Sequence, residues 1–206
     1  MLNILTYKVG VIDTNCYLVY DGASKDAALI DPGFYDEDIS AYIVKNGLNL
    51  KYILLTHGHY DHMMGVKRLR DEFGAEVCIH YADADYLTDV QKGSRSRFKN
   101  ADAYSLSADI EFADGDKLSF DGFEAVVLST PGHTKGSCCF IIGDNMFTGD
   151  TLFKDDIGRT DLEDGSYREM EKSLARIKEI EGDYIIYPGH DVKSTLEHEK
   201  KYNPYF

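Results

Sequence analysis

Short apolar or alternating runs open the chain. Leu2 to Val9, Cys16 to Tyr20 and Ala27 to Asp31 each read as a strand, set apart by turn residues such as Asp21-Gly22 and Pro32-Gly33. Ile39, Tyr42 and Ile43 then share one face of a helix near 36–46, with Gly47 as its stop. Tyr52 to Thr56 is continuously apolar, the pattern of a strand buried on both faces. His62, Val66, Leu69 and Phe73 recur at i, i+4, i+7 and i+11, which predicts a helix over 61–73 ending at Gly74. That stripe turns His62 the way the core lies.

Val77 to Ile79 reads as the next strand, 82–91 as helical, and 92–111 as a loop or a short helical insertion without a clear period. A second strand-rich stretch follows: Lys117 to Phe120, Phe123 to Ser129, Cys138 to Ile142 and Asn145 to Thr148. Ser166-Tyr167-Arg168-Glu169 is a capping box. It opens a helix with Tyr167, Met170, Leu174 and Ile177 on one face, stopped at Gly182. Tyr184 to Tyr187 is a last strand, and a polar helix near 194–201 follows. The order strands, helices, strands, helices predicts two sheet-plus-helix halves packed sheet to sheet. The expected fold is a four-layer α/β/β/α sandwich, an α/β protein with one domain over 1–206.

Composition narrows the partners. The 206 residues carry 22 Lys plus Arg against 36 Asp plus Glu, a formal net charge of −14. Such a surface does not suit nucleic acid or an anionic membrane, so we expect a small-molecule substrate and neither of those partners. The amino-terminal segment has no apolar signal core, and no stretch approaches the length of a membrane span. Cys16, Cys78, Cys138 and Cys139 form no Cys-x-x-Cys pair and read as buried, reduced thiols. The expectation is a soluble, cytoplasmic protein.

The chemistry concentrates in Thr56-His57-Gly58-His59-Tyr60-Asp61-His62, at the junction of a buried strand and a helix. Imidazole nitrogen and carboxylate oxygen on short rigid segments are what zinc, iron or manganese require. His57 and His59, two apart on a loop, can aim at one ion; Asp61 and His62, at the helix start, can serve a second. A lone histidine on an apolar stripe is ordinarily a core residue, but four ligand types at this density reverse that. His133 in Ser129-Thr130-Pro131-Gly132-His133-Thr134, Asp150 in Thr148-Gly149-Asp150-Thr151 and His190 in Tyr187-Pro188-Gly189-His190 each follow a predicted strand. His80 and His198 are left as structural or surface residues.

The motifs THGHYDH, PGHT, TGDT and PGH, in that order, resemble the metallo-β-lactamase superfamily across nearly the whole chain. Within it the chain is most similar to short glyoxalase II-type hydrolases, the hydroxyacylglutathione hydrolase-like members. The resemblance implies a first metal at His57, His59 and His133, a second at Asp61, His62 and His190, and Asp150 bridging both. It implies two divalent ions, zinc first, with iron or manganese admissible. An aspartate at 150 argues against antibiotic hydrolysis, and the tail after His190 is too short for the added helical domain of full-length glyoxalase II. Arg159, in Gly158-Arg159-Thr160-Asp161, matches a basic substrate-binding position of the family. Asp161 stands where that family has a tyrosine, and Val192 departs similarly; both count against glutathione as the thiol carrier.

The resulting expectation is thioester hydrolysis by a metal-bridging hydroxide, with Asp61 orienting the nucleophile. A mononuclear iron persulfide dioxygenase, using His57, His133 and Asp150, is the alternative reaction class. A lactone or phosphoester hydrolase on the same dinuclear site is another. Lys92, Arg95, Arg97 and Lys99 form a basic run that reads as a solvated loop, or else as a contact for an anionic substrate arm.

Overall fold

In the strands Thr14–Asp21 (β2, after β1 at Leu2–Val9) and Asp26–Ile30 (β3), successive side chains go to opposite faces of the sheet. Cys16, Leu18, Ala27 and Leu29 join one buried cluster, whereas Tyr17, Val19, Ala28 and Ile30 join another. Both faces are covered, so these strands are apolar throughout. Helix Glu37–Asn46 (α1) and strand Asn49–Leu54 (β4) follow, then helices Tyr60–Met63 (α2) and Val66–Phe73 (α3), then strands Glu76–His80 (β5) and Ile110–Phe112 (β6). The six strands lie side by side in chain order. The first three are antiparallel; β3 to β6 are parallel. The computed structural model describes all of residues 1–206 except Arg95, Arg97 and Lys99.

The second sheet takes Lys117–Phe120 (β7), Phe123–Ser129 (β8), Cys138–Ile142 (β9) and Asn145–Gly149 (β10). A two-strand hairpin, Leu152–Phe153 (β11) with Asp156–Ile157 (β12), precedes helix Tyr167–Lys178 (α4). Strands Ile185–Pro188 (β13) and Ser194–Thr195 (β14) complete the sheet in the order β14-β13-β10-β9-β8-β7, and helix Leu196–Tyr202 (α5) follows. Between the sheets Tyr17 meets Phe147 edge-on, with ring centroids 5.2 Å apart, and Phe112 meets Phe140 at 5.6 Å. Outside them, Ile39 and Ile43 of α1 with Val66 and Leu69 of α3 cover the first sheet. Met170, Leu174 and Ile177 of α4 with Leu196 of α5 cover the second. The fold is the four-layer α/β/β/α sandwich expected.

Departures from the predicted elements trace to particular contacts. The helix predicted over 61–73 is broken between α2 and α3. There the Gly65 N–H donates to Pro32 O at 2.9 Å, and a Cβ on Gly65 would stand 2.6 Å from that oxygen. Residues expected as an α-helix near 82–91 form instead a 3₁₀ helix over Tyr81–Leu87, with His80 Nδ1 accepting from Ala82 N at 3.2 Å. The stretch 92–111 holds a 3₁₀ turn and the start of β6, which is too short to show a period. Ser194 and Thr195 pair with β13 rather than opening the last helix, and Thr195 caps it. The capping box holds, with Ser166 Oγ accepting from Glu169 N at 3.4 Å, although α4 ends before Gly182. No described helix is long and apolar enough to cross a membrane.

Candidate metal centre

Four strands deliver the ligand-type residues at their carboxyl ends. The loop after β4 carries His57 and His59 and runs into α2 with Asp61 and His62. The loops after β8, β10 and β13 carry His133, Asp150 and His190. All seven converge. Nδ1 of His59 lies 2.8 Å from Nε2 of His133, and the His57 ring packs against those of His59, His62 and His133 at 4.2–4.8 Å between centroids. Nε2 of His62 stands 3.3 Å from Asp61 Oδ2 and 3.4 Å from Asp150 Oδ1. Nε2 of His190 stands 3.2 Å from Asp61 Oδ2 and 3.7 Å from Asp150 Oδ2.

Three groupings have ligand atoms within 4.8 Å of one another: His57, His59 and His133; Asp61, His62 and His190; and His57, His62 and Asp150. Among the described residues, the buried side-chain polar atoms lacking a hydrogen-bond partner are Asn15 Oδ1, His57 Nε2, His62 Nε2 and Asp150 Oδ1. Three of the four belong to this cluster. A buried polar atom left unanswered costs about 1–3 kcal/mol. Bringing such atoms together in one place fits a divalent cation, whose nitrogen and oxygen ligands these are.

Buried carboxylates hold the loops. Asp31 accepts from Thr56 N at 2.8 Å, from Thr56 Oγ1 at 2.6 Å and from His62 Nδ1 at 3.0 Å, so it fixes the ring that faces the site. Asp83, fully buried, accepts from Gly58 N at 3.0 Å, Thr134 Oγ1 at 2.6 Å and Gly136 N at 2.7 Å. It thereby ties the His57/His59 loop to the His133 loop. His133 Nδ1 donates to Arg159 O at 2.7 Å. A Cβ on Gly189 would lie 2.3 Å from Asp150 Oδ1, so only glycine lets the His190 loop approach this closely.

Sequence reasoning missed Asp31 and Asp83. Asp31 had a signal, a carboxylate ending an apolar strand before Pro32-Gly33. Asp83 had none, since it alternates with Asp85 in Tyr81-Ala82-Asp83-Ala84-Asp85.

Burial, then the His62 and His133 imidazoles, holds His57 well below the ordinary histidine value. Burial and His133 together pull His59 down to about 4. Burial opposes the charge on Asp61, but His62 and His190 more than reverse that and hold it well below the usual carboxylate range. Burial likewise opposes a cationic His62, and Asp61, Asp150 and Asp31 overcome it. Neutral His57 and His59 beside an ionised Asp61 are in the protonation states metal binding needs, whereas His62 and His190, which against burial the neighbouring carboxylates favour as cations, must lose a proton to ligate.

The other sequence candidates fall outside the cluster. Arg159 lines the cavity above it, with its guanidinium on Asp161. Lys92 pairs with Asp85 at 2.7 Å and Asp164 at 3.3 Å, while Arg95, Arg97 and Lys99 lie outside the described residues. His80 is structural, buried with Nε2 3.0 Å from Ser129 Oγ. His198 sits half-buried, 2.7 Å from Asp155. The four cysteines are buried and free.

A two-sheet sandwich with histidine and aspartate at its strand ends defines a metal-site hydrolase fold. The chain belongs to the metallo-beta-lactamase superfamily, whose family profile matches residues 9–190. A chain named hydroxyacylglutathione hydrolase GloC, from Haemophilus influenzae, is 36% identical over 208 residues, spanning 99% of this chain and 98% of its own. Among solved structures, the B3 metallo-beta-lactamase BLEG-1 superimposes with a TM-score of 0.89 at 30% identity, over 100% of this chain and 99% of its own. TTHA1623 in a di-iron-bound form gives 0.84 at 29%, over 98% and 100%. ETHE1 from Myxococcus xanthus gives 0.79 at 27%, over 98% and 83%.

Proposed function

We propose that this chain is a dinuclear metallohydrolase that cleaves an acyl thioester. The observation that carries this is the convergence of two three-residue groups on a shared carboxylate. His57, His59 and His133 would hold one ion and Asp61, His62 and His190 the other, with Asp150 between them. Such a pair of ions supplies hydroxide at neutral pH and polarises the acyl carbonyl, lowering the pKa of water from about 15.7 towards about 7. Asp61 would orient the attacking water; its Oδ2 accepts from Thr14 Oγ1 at 3.4 Å, which helps hold the carboxylate. The water oxygen joins the acyl carbon, the carbon–sulfur bond breaks, and the proton leaves with the thiol. Water and thioester thus give acid and thiol.

The nitrogen and oxygen ligands put zinc first and admit iron or manganese; the neighbour in a di-iron-bound form is in keeping with that breadth. We take the substrate to be a small molecule and the compartment to be the cytoplasm, in keeping with four free cysteines and the acidic surface.

The test joins elemental analysis of chelator-free protein to a hydrolysis panel. The expected result is about two metals per chain and thiol release from acyl thioesters, S-acylglutathiones included. Asp61→Asn should abolish most turnover; full activity in that variant would overturn the assignment. One iron per chain, with oxygen uptake on a persulfide, would replace hydrolysis with the dioxygenase reading through His57, His133 and Asp150. Preference for a lactone, phosphoester or β-lactam would keep the centre and change the substrate.

A further inference from the structure

The cavity over the metal centre has a volume of about 440 Å³. Beyond the ligands, Gly93 and Ser94, its wall consists of Ile12, Tyr60, Phe153, Leu162 and Arg159. Arg159 is the one Lys or Arg among these described lining residues, and its charge is already answered. Its Nε and Nη2 donate to the two oxygens of Asp161 at 2.7 and 2.9 Å. Lys92, next in sequence to the lining residue Gly93, and Lys135 both pair with Asp164, at 3.3 and 2.5 Å. Among the described residues, an anionic substrate arm would have to displace a carboxylate from Arg159, Lys92 or Lys135.

The apolar wall is open to solvent. Ile12, at the tip of the β1–β2 hairpin, is 47% exposed, and Phe153 and Leu162 are half-buried. The hairpin tip is tied to the His190 loop through Lys8 Nζ, which donates to Asp13 O and Asp191 O at 3.3 Å each. Phe153 packs edge-on to His190, with centroids 6.3 Å apart. A single exposed apolar side chain is ordinary; three lining one cavity above a polar floor mark a surface that a ligand covers.

Resting on the thioester reading, we propose that this cavity takes an apolar, uncharged acyl chain, and that Ile12, Phe153 and Leu162 set the preference for it. Each methylene buried against such a wall is worth about fourfold in affinity.

The test uses the metal-loaded full chain with N-acetylcysteamine thioesters of acetyl, butyryl, hexanoyl and succinyl groups. kcat/KM should rise about fourfold per methylene until the cavity is filled. The succinyl ester should trail butyryl by up to about fivefold, and Asp161→Asn, which frees Arg159, should recover much of that loss. Ile12→Ser with Leu162→Ser should lower the hexanoyl-to-acetyl ratio. A flat or falling series, or succinyl matching butyryl in the native chain, would overturn the proposal. Calorimetry with the matching uncleavable S-alkyl thioethers separates the two readings. Chain-length-dependent binding without hydrolysis sinks the thioester reaction and upholds this inference; hydrolysis without the trend does the reverse.

Discussion

Around His198, Asp155 Oδ1 lies 2.7 Å and Glu199 Oε1 3.9 Å from Nε2, and the three residues have ligand atoms as close together as those of a metal site. Around His62, Asp61 and Asp150 stand at 3.3 and 3.4 Å. The two clusters share residue types and distances but differ in what remains unanswered. Glu199 is fully buried, yet it accepts from Asp155 N at 2.9 Å, from Asn203 Nδ2 at 2.8 Å and from Ser194 Oγ. Nε2 of His62 and Oδ1 of Asp150 are buried without a hydrogen-bond partner. Glu199 stitches α5 to the β11–β12 hairpin and is complete; the His62 cluster leaves two buried atoms without a hydrogen bond. Proximity of histidine and carboxylate is therefore a weak sign of a metal site, and unanswered buried atoms are a strong one.

The largest break in that comparison comes from His133→Ala. Turnover and the affinity for the first ion should both fall by more than about 100-fold, beyond the range of supporting residues, and metal content should drop towards one per chain; native metal content and thiol release would erase the distinction. Asp83→Asn comes next. An amide cannot accept from all of Gly58 N, Thr134 Oγ1 and Gly136 N, so metal affinity should drop by about 10–100-fold in chelator competition. Unchanged affinity would reduce Asp83 to a packing residue.

His198→Ala should leave metal stoichiometry and turnover unchanged and cost at most about 1 kcal/mol in denaturant unfolding. Loss of a metal would make the two clusters equivalent.

The smallest effect lies at Asp164. The Lys135 ammonium, helped by Lys92, holds Asp164 below the usual carboxylate range. Its folded pKa is depressed, so its stabilisation is present above the unfolded value of 3.8 and is lost as pH falls through the folded one. Asp164→Asn should cost less than about 1 kcal/mol at neutral pH, and this difference should vanish in acid melts.

The layers were legible because alternation needs only local sequence. Cys16 and Leu18 against Tyr17 and Val19 already divide the two faces of β2. The candidate ligand residues that the fold brings together were legible for a different reason, being crowded into one short motif and three strand-end turns. Where the reading stopped, distant backbone decides. Nothing in residues 61–73 discloses that Pro32 takes the Gly65 N–H and breaks the helix. Nothing in Tyr81-Ala82-Asp83 discloses which loops will surround Asp83. Arg159 lines the cavity, but its pairing with Asp161 decides what it can hold. That pairing depends on how the loop folds back, which spacing alone does not fix.

The division of the ligands between two sheets also sets an order in time. A ribosome delivers His57, His59, Asp61 and His62 with the first sheet, while at about 5–20 residues per second the remaining ligands follow only seconds later. His190 arrives last, behind β13, whose pairing with β10 brings it beside Asp61. A nascent chain thus displays half a chelating set before the other half exists. On the proposed ligand set, the site would be finished only when both sheets have closed on each other, so firm retention of metal would report that both halves are made and folded.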